Sequence, residues 1–132
     1  MTLRGGAREG LERRACDIVR GKRDEVGDPR NLVAEQIELL LEELSQQSRV
    51  REERLGSLLR CECYVGTELR RLKVRAGPGM SVPFSAEAEL QRRLLRIEEE
   101  RRRVAAEYEA TRAGLYQSLL SLVQRHEQLI LT

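Results

Sequence analysis

The sequence predicts an all-α protein in which two long amphipathic helices fold back as an antiparallel coiled-coil hairpin, with a short helix in front of them. Three observations carry this. Asp, Glu, Lys and Arg make up 35% of the 132 residues, while there is one Phe, three Tyr and no Trp. Apolar content that is mostly Leu, Val, Ile and Ala, mixed with Glu and Arg at helical spacing, marks long helices rather than a core on aromatic anchors. The three prolines, Pro29, Pro78 and Pro83, all fall at expected helix edges, so nothing interrupts two helices of more than forty residues.

Residues 1–27 read as a short amphipathic helix with flexible flanks. Leu11, Ala15, Ile18 and Val19 form one apolar stripe at i, i+4, i+7 and i+8. Gly5, Gly6 and Gly10 are expected to precede the helix, and Gly21 to end it. So short a helix is marginal alone in water and needs a neighbour.

Residues 28–76 form the first long helix. Asp28 can accept from the free backbone N–H groups, and Pro29 suits the first helical position because it lacks an N–H. Gly77-Pro78 is a stop pair, while Gly56 and Gly66 weaken the interior by up to about 1 kcal/mol each. At 1.5 Å per residue this helix spans roughly 70 Å, too long to be buried in a globule of this size. Residues 77–85 are the bend, with Gly77 to Phe84 as loop and Ser85 as N-cap. Residues 86–132 form the second long helix, with Glu87 and Glu89 in its first turn and Gly114 as its interior weak point. Residues 28–132 make one elongated coiled-coil domain.

The heptad seams support folding back. Val33, Ile37, Leu40 and Leu44 keep heptad spacing, and Leu55, Leu58, Glu62, Val65, Leu69 and Leu72 resume it after an 11-residue gap. On the second helix Leu90, Leu94, Ile97, Arg101, Val104, Tyr108, Thr111 and Leu115 keep it, and Leu119, Leu122, His126 and Leu129 resume it, Tyr108 to Leu119 again being 11 residues. Such four-residue stutters relax supercoiling locally. Turning the chain at about residue 81 sets the two stutters side by side and brings Glu62 within about one layer of Arg101. Two alignments half a heptad apart fit nearly equally well.

The chemistry-bearing residues are few. Cys61 and Cys63, two apart on a helix, point to different faces and cannot chelate one ion together, and a zinc site needs about four ligands. With Cys16 distant, all three read as half-buried free thiols. His126, the only histidine, reads as a seam residue that sets register. The chain carries no Walker A loop, no G-x-S-x-G and no H-E-x-x-H. The expectation is no catalytic residue, no metal site and no cofactor.

Two surfaces stand out instead. Residues 31–48 hold Glu35, Glu38, Glu42 and Glu43 and no basic residue. Their leucines, with those of the returning helix, exceed what a two-helix seam buries. Leu39, Leu40, Leu41, Leu44, Leu119, Leu120, Leu122, Val123, Leu129, Ile130 and Leu131 are the expected partner-binding residues of this open end. The covering helix could be the 11–19 segment, a second copy or a different coiled-coil protein. At the bend, Arg70, Arg71, Lys73, Arg75, Arg92, Arg93 and Arg96 gather against Glu68, Glu87 and Glu89. This basic tip is a salt-bridged, solvated end or a knob for an acidic surface or filament.

These features point to a non-enzymatic scaffold subunit of a larger assembly, of cytoskeletal, centrosomal, ciliary or kinetochore type. Other coiled-coil proteins are the expected partners, with a hetero-oligomeric bundle favoured over a homodimer. The second reading is an accessory subunit of a nucleic-acid-associated complex, using the tip on phosphate. With 24 basic and 22 acidic residues the chain has no strongly charged tail, and no aromatic interleaves the tip arginines as single-strand binding favours. No apolar run reaches the roughly 20 residues that span a bilayer, so no membrane partner is expected. Met1 to Arg14 lacks the apolar core of a secretory signal, and three cysteines suit a reducing compartment. The expected location is cytoplasmic, cytoskeleton-associated, or nuclear.

Overall fold

The computed structural model describes residues 5–22, 27–76 and 84–131. These form three helices, α1 (Gly5–Arg20), α2 (Pro29–Ala76) and α3 (Phe84–Leu131), and no strand among the described residues. The all-α expectation holds. The Gly77-Pro78 stop and most of the bend lie outside the described residues.

α2 begins where expected, and its cap is visible. The Arg30 backbone N–H donates to Asp28 Oδ1 at 2.9 Å, and the Asn31 N–H to the Asp28 carbonyl at 3.0 Å. These contacts satisfy donors that a helix start leaves free. Just before the cap, Gly27 sits at φ 89°, a left-handed conformation that favours glycine. α3 starts at Phe84, so Ser85 lies inside its first turn rather than capping it.

α1 differs from expectation at its start, because Gly6 and Gly10 lie inside the helix instead of before it. Those two glycines cost roughly 2 kcal/mol relative to alanine. Long-range contacts offset that cost. Leu11 and Ala15 are buried, and Arg8, a full turn before the apolar stripe, reaches α3. Burying one leucine contributes about 1.5–3 kcal/mol, so packing outweighs propensity here. The end is as expected: the Gly21 N–H donates to the Asp17 carbonyl and the Lys22 N–H to that of Val19.

The chain divides into two compact units, residues 1–49 with 108–132, and residues 50–107. The first is a three-helix unit. Its core joins Leu11 and Ala15 of α1, Val33, Ile37 and Leu44 of α2, and Tyr116, Leu119 and Val123 of α3. The second contains only α2 and α3 segments, and among its described residues only Val65 and Val104 are fully buried hydrophobics. Its expected seam is otherwise half-buried at every described position, from Leu55 to Leu72 and from Leu90 to Arg101. In the three-helix unit the seam shifts. Thr111 is exposed, and Arg112 and Tyr116 turn inward. The reason is α1, which packs on that side of α3.

Candidate interaction surfaces

The open end comes first, since the largest set of expected site residues lies there. Leu44, Leu119 and Val123 are buried in the three-helix core, and Leu40, Leu41, Leu120, Leu122 and Leu129 pack against it half-buried. α1 is thus one of the helices that the leucine surplus called for. Left outside are Leu39, 64% exposed, Ile130, 57%, and Leu131, 85%. Leu39 lies in a shallow groove with Glu38, Glu42 and Glu43. Lys22 bridges Glu35 and Glu38 at 3.6 and 3.7 Å, whereas Glu42 and Glu43 form no ion pair among the described residues.

Beside the buried Leu11 and Ala15, a polar cluster that reading the sequence passed over ties α1 to α3. The Tyr116 hydroxyl donates to Glu12 Oε1 at 2.6 Å, and Arg112 Nη2 donates weakly to that hydroxyl at 3.4 Å. The Arg8 guanidinium stands 4.8 Å over the Tyr116 ring and pairs with Glu109 at 2.8 Å. Arg14 pairs with Glu127 further along. The environment shifts three of these groups. Burial, then the Glu12 hydrogen bond, raises the Tyr116 phenol above its usual range. The hydrogen bond from Arg8 holds the Glu109 carboxyl low. The bond to Tyr116 raises Arg112. The available signal was the i, i+4, i+8 run Tyr108, Arg112, Tyr116, which a strict heptad walk splits.

The seven tip residues Arg70, Arg71, Lys73, Arg75, Arg92, Arg93 and Arg96 are all exposed. Part of their charge is met locally: Arg71 by Glu68 at 3.0 Å, and Arg92 and Arg93 by Glu89 at 3.9 and 3.5 Å. Among the described residues Arg70, Lys73, Arg75 and Arg96 form no ion pair. Between α2 and α3 of the same unit lies a groove of about 510 Å³ lined by Arg60, Cys61, Tyr64, Val65, Arg93, Arg96 and Ile97. Val65 and Ile97, expected as neighbours, both line it.

Glu62 and Arg101 do form an ion pair, and Arg54 bridges Glu100 and Glu107 at 3.5 and 3.3 Å. The Glu62 and Arg101 side chains are 42% and 38% exposed, so this pair contributes at most about 1 kcal/mol. Cys61 and Cys63 are exposed, which corrects the half-buried expectation; Cys16 is half-buried, and all three are free thiols. The two exposed thiols flank Glu62, itself at the margin of the seam.

His126 lies half-buried beside a cleft of about 420 Å³ with Asp17, Lys22, Asp28 and Arg30, and its Nδ1 has no hydrogen-bond partner among the described residues. The described residues contain no group of three His, Cys, Asp or Glu placed to hold a metal ion. None of their helices is long and apolar enough to cross a membrane. No protein-family model, curated protein or solved structure matches this chain.

Proposed function

We propose that this chain is a non-catalytic coiled-coil scaffold subunit that joins a larger assembly by packing helices of another protein on its open end. α2 and α3 form an antiparallel hairpin in this reading. What supports that direction is the order of contacts within residues 50–107. Arg54 meets Glu100 and Glu107, Glu62 meets Arg101, and Tyr64 and Val65 share a groove with Arg93, Arg96 and Ile97. Positions thus fall along α3 as they climb along α2.

The observation that carries the functional reading is the apolar remainder at the open end. With α1 docked and the core filled, Leu39, Ile130 and Leu131 still face solvent. Single exposed leucines need no explanation. These three belong to segments most of whose other leucines already pack between helices, Leu32 being exposed as well. Glu42 and Glu43 edge Leu39 outside any ion pair among the described residues, with Arg49 in the same groove. A partner helix with an apolar stripe fits that surface. Cytoskeletal, centrosomal, ciliary and kinetochore complexes contain many subunits of this shape, an associational argument. A cytoplasmic or nuclear location goes with this role.

Affinity purification with crosslinking from the native source tests the reading. Partners crosslinked beside Ile130 and Leu131 should be coiled-coil proteins, and Ile130→Asp with Leu131→Asp should release them while leaving helicity unchanged. Undiminished recovery of the same partners with this variant contradicts the role of the open end.

A further inference from the structure

We propose that two copies of this chain associate by seating the acidic, Leu39-centred face of one in the basic, Tyr64-centred groove of the other. It rests on the open-end reading only in taking Leu39 as a contact residue, and it leaves Ile130 and Leu131 to the other protein.

Each half of the contact is visible within one compact unit. In the two-helix unit the groove has Val65, 4% exposed, together with Ile97 along its apolar part, and Tyr64, 63% exposed, as its large exposed hydrophobe. Arg60, Arg93 and Arg96 line the same groove. Glu89 meets Arg93, but among the described residues Arg60 and Arg96 form no ion pair. An exposed tyrosine among arginines is the side-chain chemistry that most often dominates binding energy at protein interfaces. The apolar lining favours a side chain from a helix over a phosphate backbone, which gains nothing from valine and isoleucine.

The three-helix unit shows the complement. Leu39 is an exposed apolar centre, and Glu42 and Glu43 beside it are exposed carboxylates outside any ion pair among the described residues, against one guanidinium in the same groove, Arg49, which donates to the Ser45 hydroxyl. Two guanidiniums outside any ion pair around an exposed tyrosine on one surface thus match two carboxylates outside any ion pair, one of them accepting from Gln47, beside an exposed leucine on another. The chain as a whole is nearly neutral, 24 basic residues against 22 acidic. Its patches of unmatched charge therefore attract each other rather than repel between copies. Complementary patches of this kind raise association rates and specify register. Because the two surfaces differ, the contact is head-to-tail and leaves one free face on each end copy.

A charge swap on the full-length chain tests this by light scattering and sedimentation. The wild-type mass should rise above one chain with concentration and fall back as salt screens the contact. Arg60→Glu with Arg96→Glu should abolish the rise, and so should Glu42→Arg with Glu43→Arg. Tyr64→Ala should weaken it at least about tenfold, as loss of a dominant interface residue does. Mixing the Arg60→Glu, Arg96→Glu chain with the Glu42→Arg, Glu43→Arg chain must restore association, because each supplies the face the other has lost. One chain carrying both sets of reversals must associate as well. That recovery also shows the altered chains fold. A chain that stays monomeric, association that survives either reversal, or a double-reversed chain that fails to associate would each overturn the proposal. Tighter capture of duplex DNA than of a second copy by the Tyr64 groove would do so as well. None of these outcomes touches the Ile130 and Leu131 variant, whose partner is read from the native source.

Discussion

The two units are built from stretches of the same two long helices, yet they bury very different amounts. Residues 1–49 with 108–132 contain nine fully buried hydrophobics among those described, while residues 50–107 contain two, Val65 and Val104. The seam leucines do not explain the contrast, since both units keep them at similar spacing. The third helix does. Beside α1, Ile37, Leu119 and Val123 lose all access to water, whereas the two-helix seam leaves Leu55, Leu58, Leu94 and Ile97 half-exposed. A two-helix contact covers one stripe of each helix, and a third helix closes the side. The two-helix unit adds cross-helix ion pairs such as Arg54–Glu107, which contribute little in water.

Core truncation should break the comparison most visibly. Ile37→Ala or Leu119→Ala should lose about 2–5 kcal/mol in denaturant unfolding, the usual cost of emptying a filled core site. Val104→Ala should cost about 2 kcal/mol, from roughly 0.8 kcal/mol for each buried carbon plus the space left. Equal losses per removed carbon at the two places would mean that the units are equally well packed.

Tyr116→Phe sharpens the contrast by loosening α1 alone, with an expected loss of about 1–2 kcal/mol for the hydrogen bond to Glu12 and the weaker one from Arg112. Its pH dependence is distinctive. The folded phenol is raised, so its contribution is complete below the ordinary value of 10.0 and disappears as pH climbs through the higher folded value. Wild-type α1 should therefore loosen at alkaline pH, and the phenylalanine variant should lack that limb. Glu109 acts at the other end. Its carboxyl is lowered from 4.5, so its contribution is present above that value and fades as pH falls through the folded one. Far-UV circular dichroism against pH follows both. The smallest effect belongs to the two-helix unit: Glu62→Gln should change stability by less than about 1 kcal/mol, since its pair with Arg101 is partly exposed.

Local signals were the legible part of this molecule. Asp28 and Pro29 announce the start of α2, and the heptads of Leu55 to Leu72 and Leu90 to Val104 mark their buried sides, because cap and seam depend on residues a few positions apart. The start of α1 was hidden. Gly5, Gly6 and Gly10 argue against a helix locally, and the contact that extends it joins Arg8 to Glu109, far along the chain. Tyr116 was missed for the same reason, since only the docking of α1 on α3 selects it over Thr111. The open-end leucines were legible as a surplus, but nothing local says that α1 covers Leu44, Leu119 and Val123 while leaving Leu39 bare. The Tyr64 groove combines residues of two helices about thirty positions apart, which no motif joins.

Native-state hydrogen exchange on the full chain and on a chain lacking residues 1–20 tests most directly whether α1 makes the difference between the units. In the full chain, amides of residues 33–44 and 115–123 should exchange slowest, and those of residues 55–72 and 90–101 should open at lower free energy. Removing α1 should bring the first group down to the second, measured at concentrations where both chains are monomeric. Slow exchange that survives the loss of α1, or equal protection of both units in the full chain, would contradict that claim.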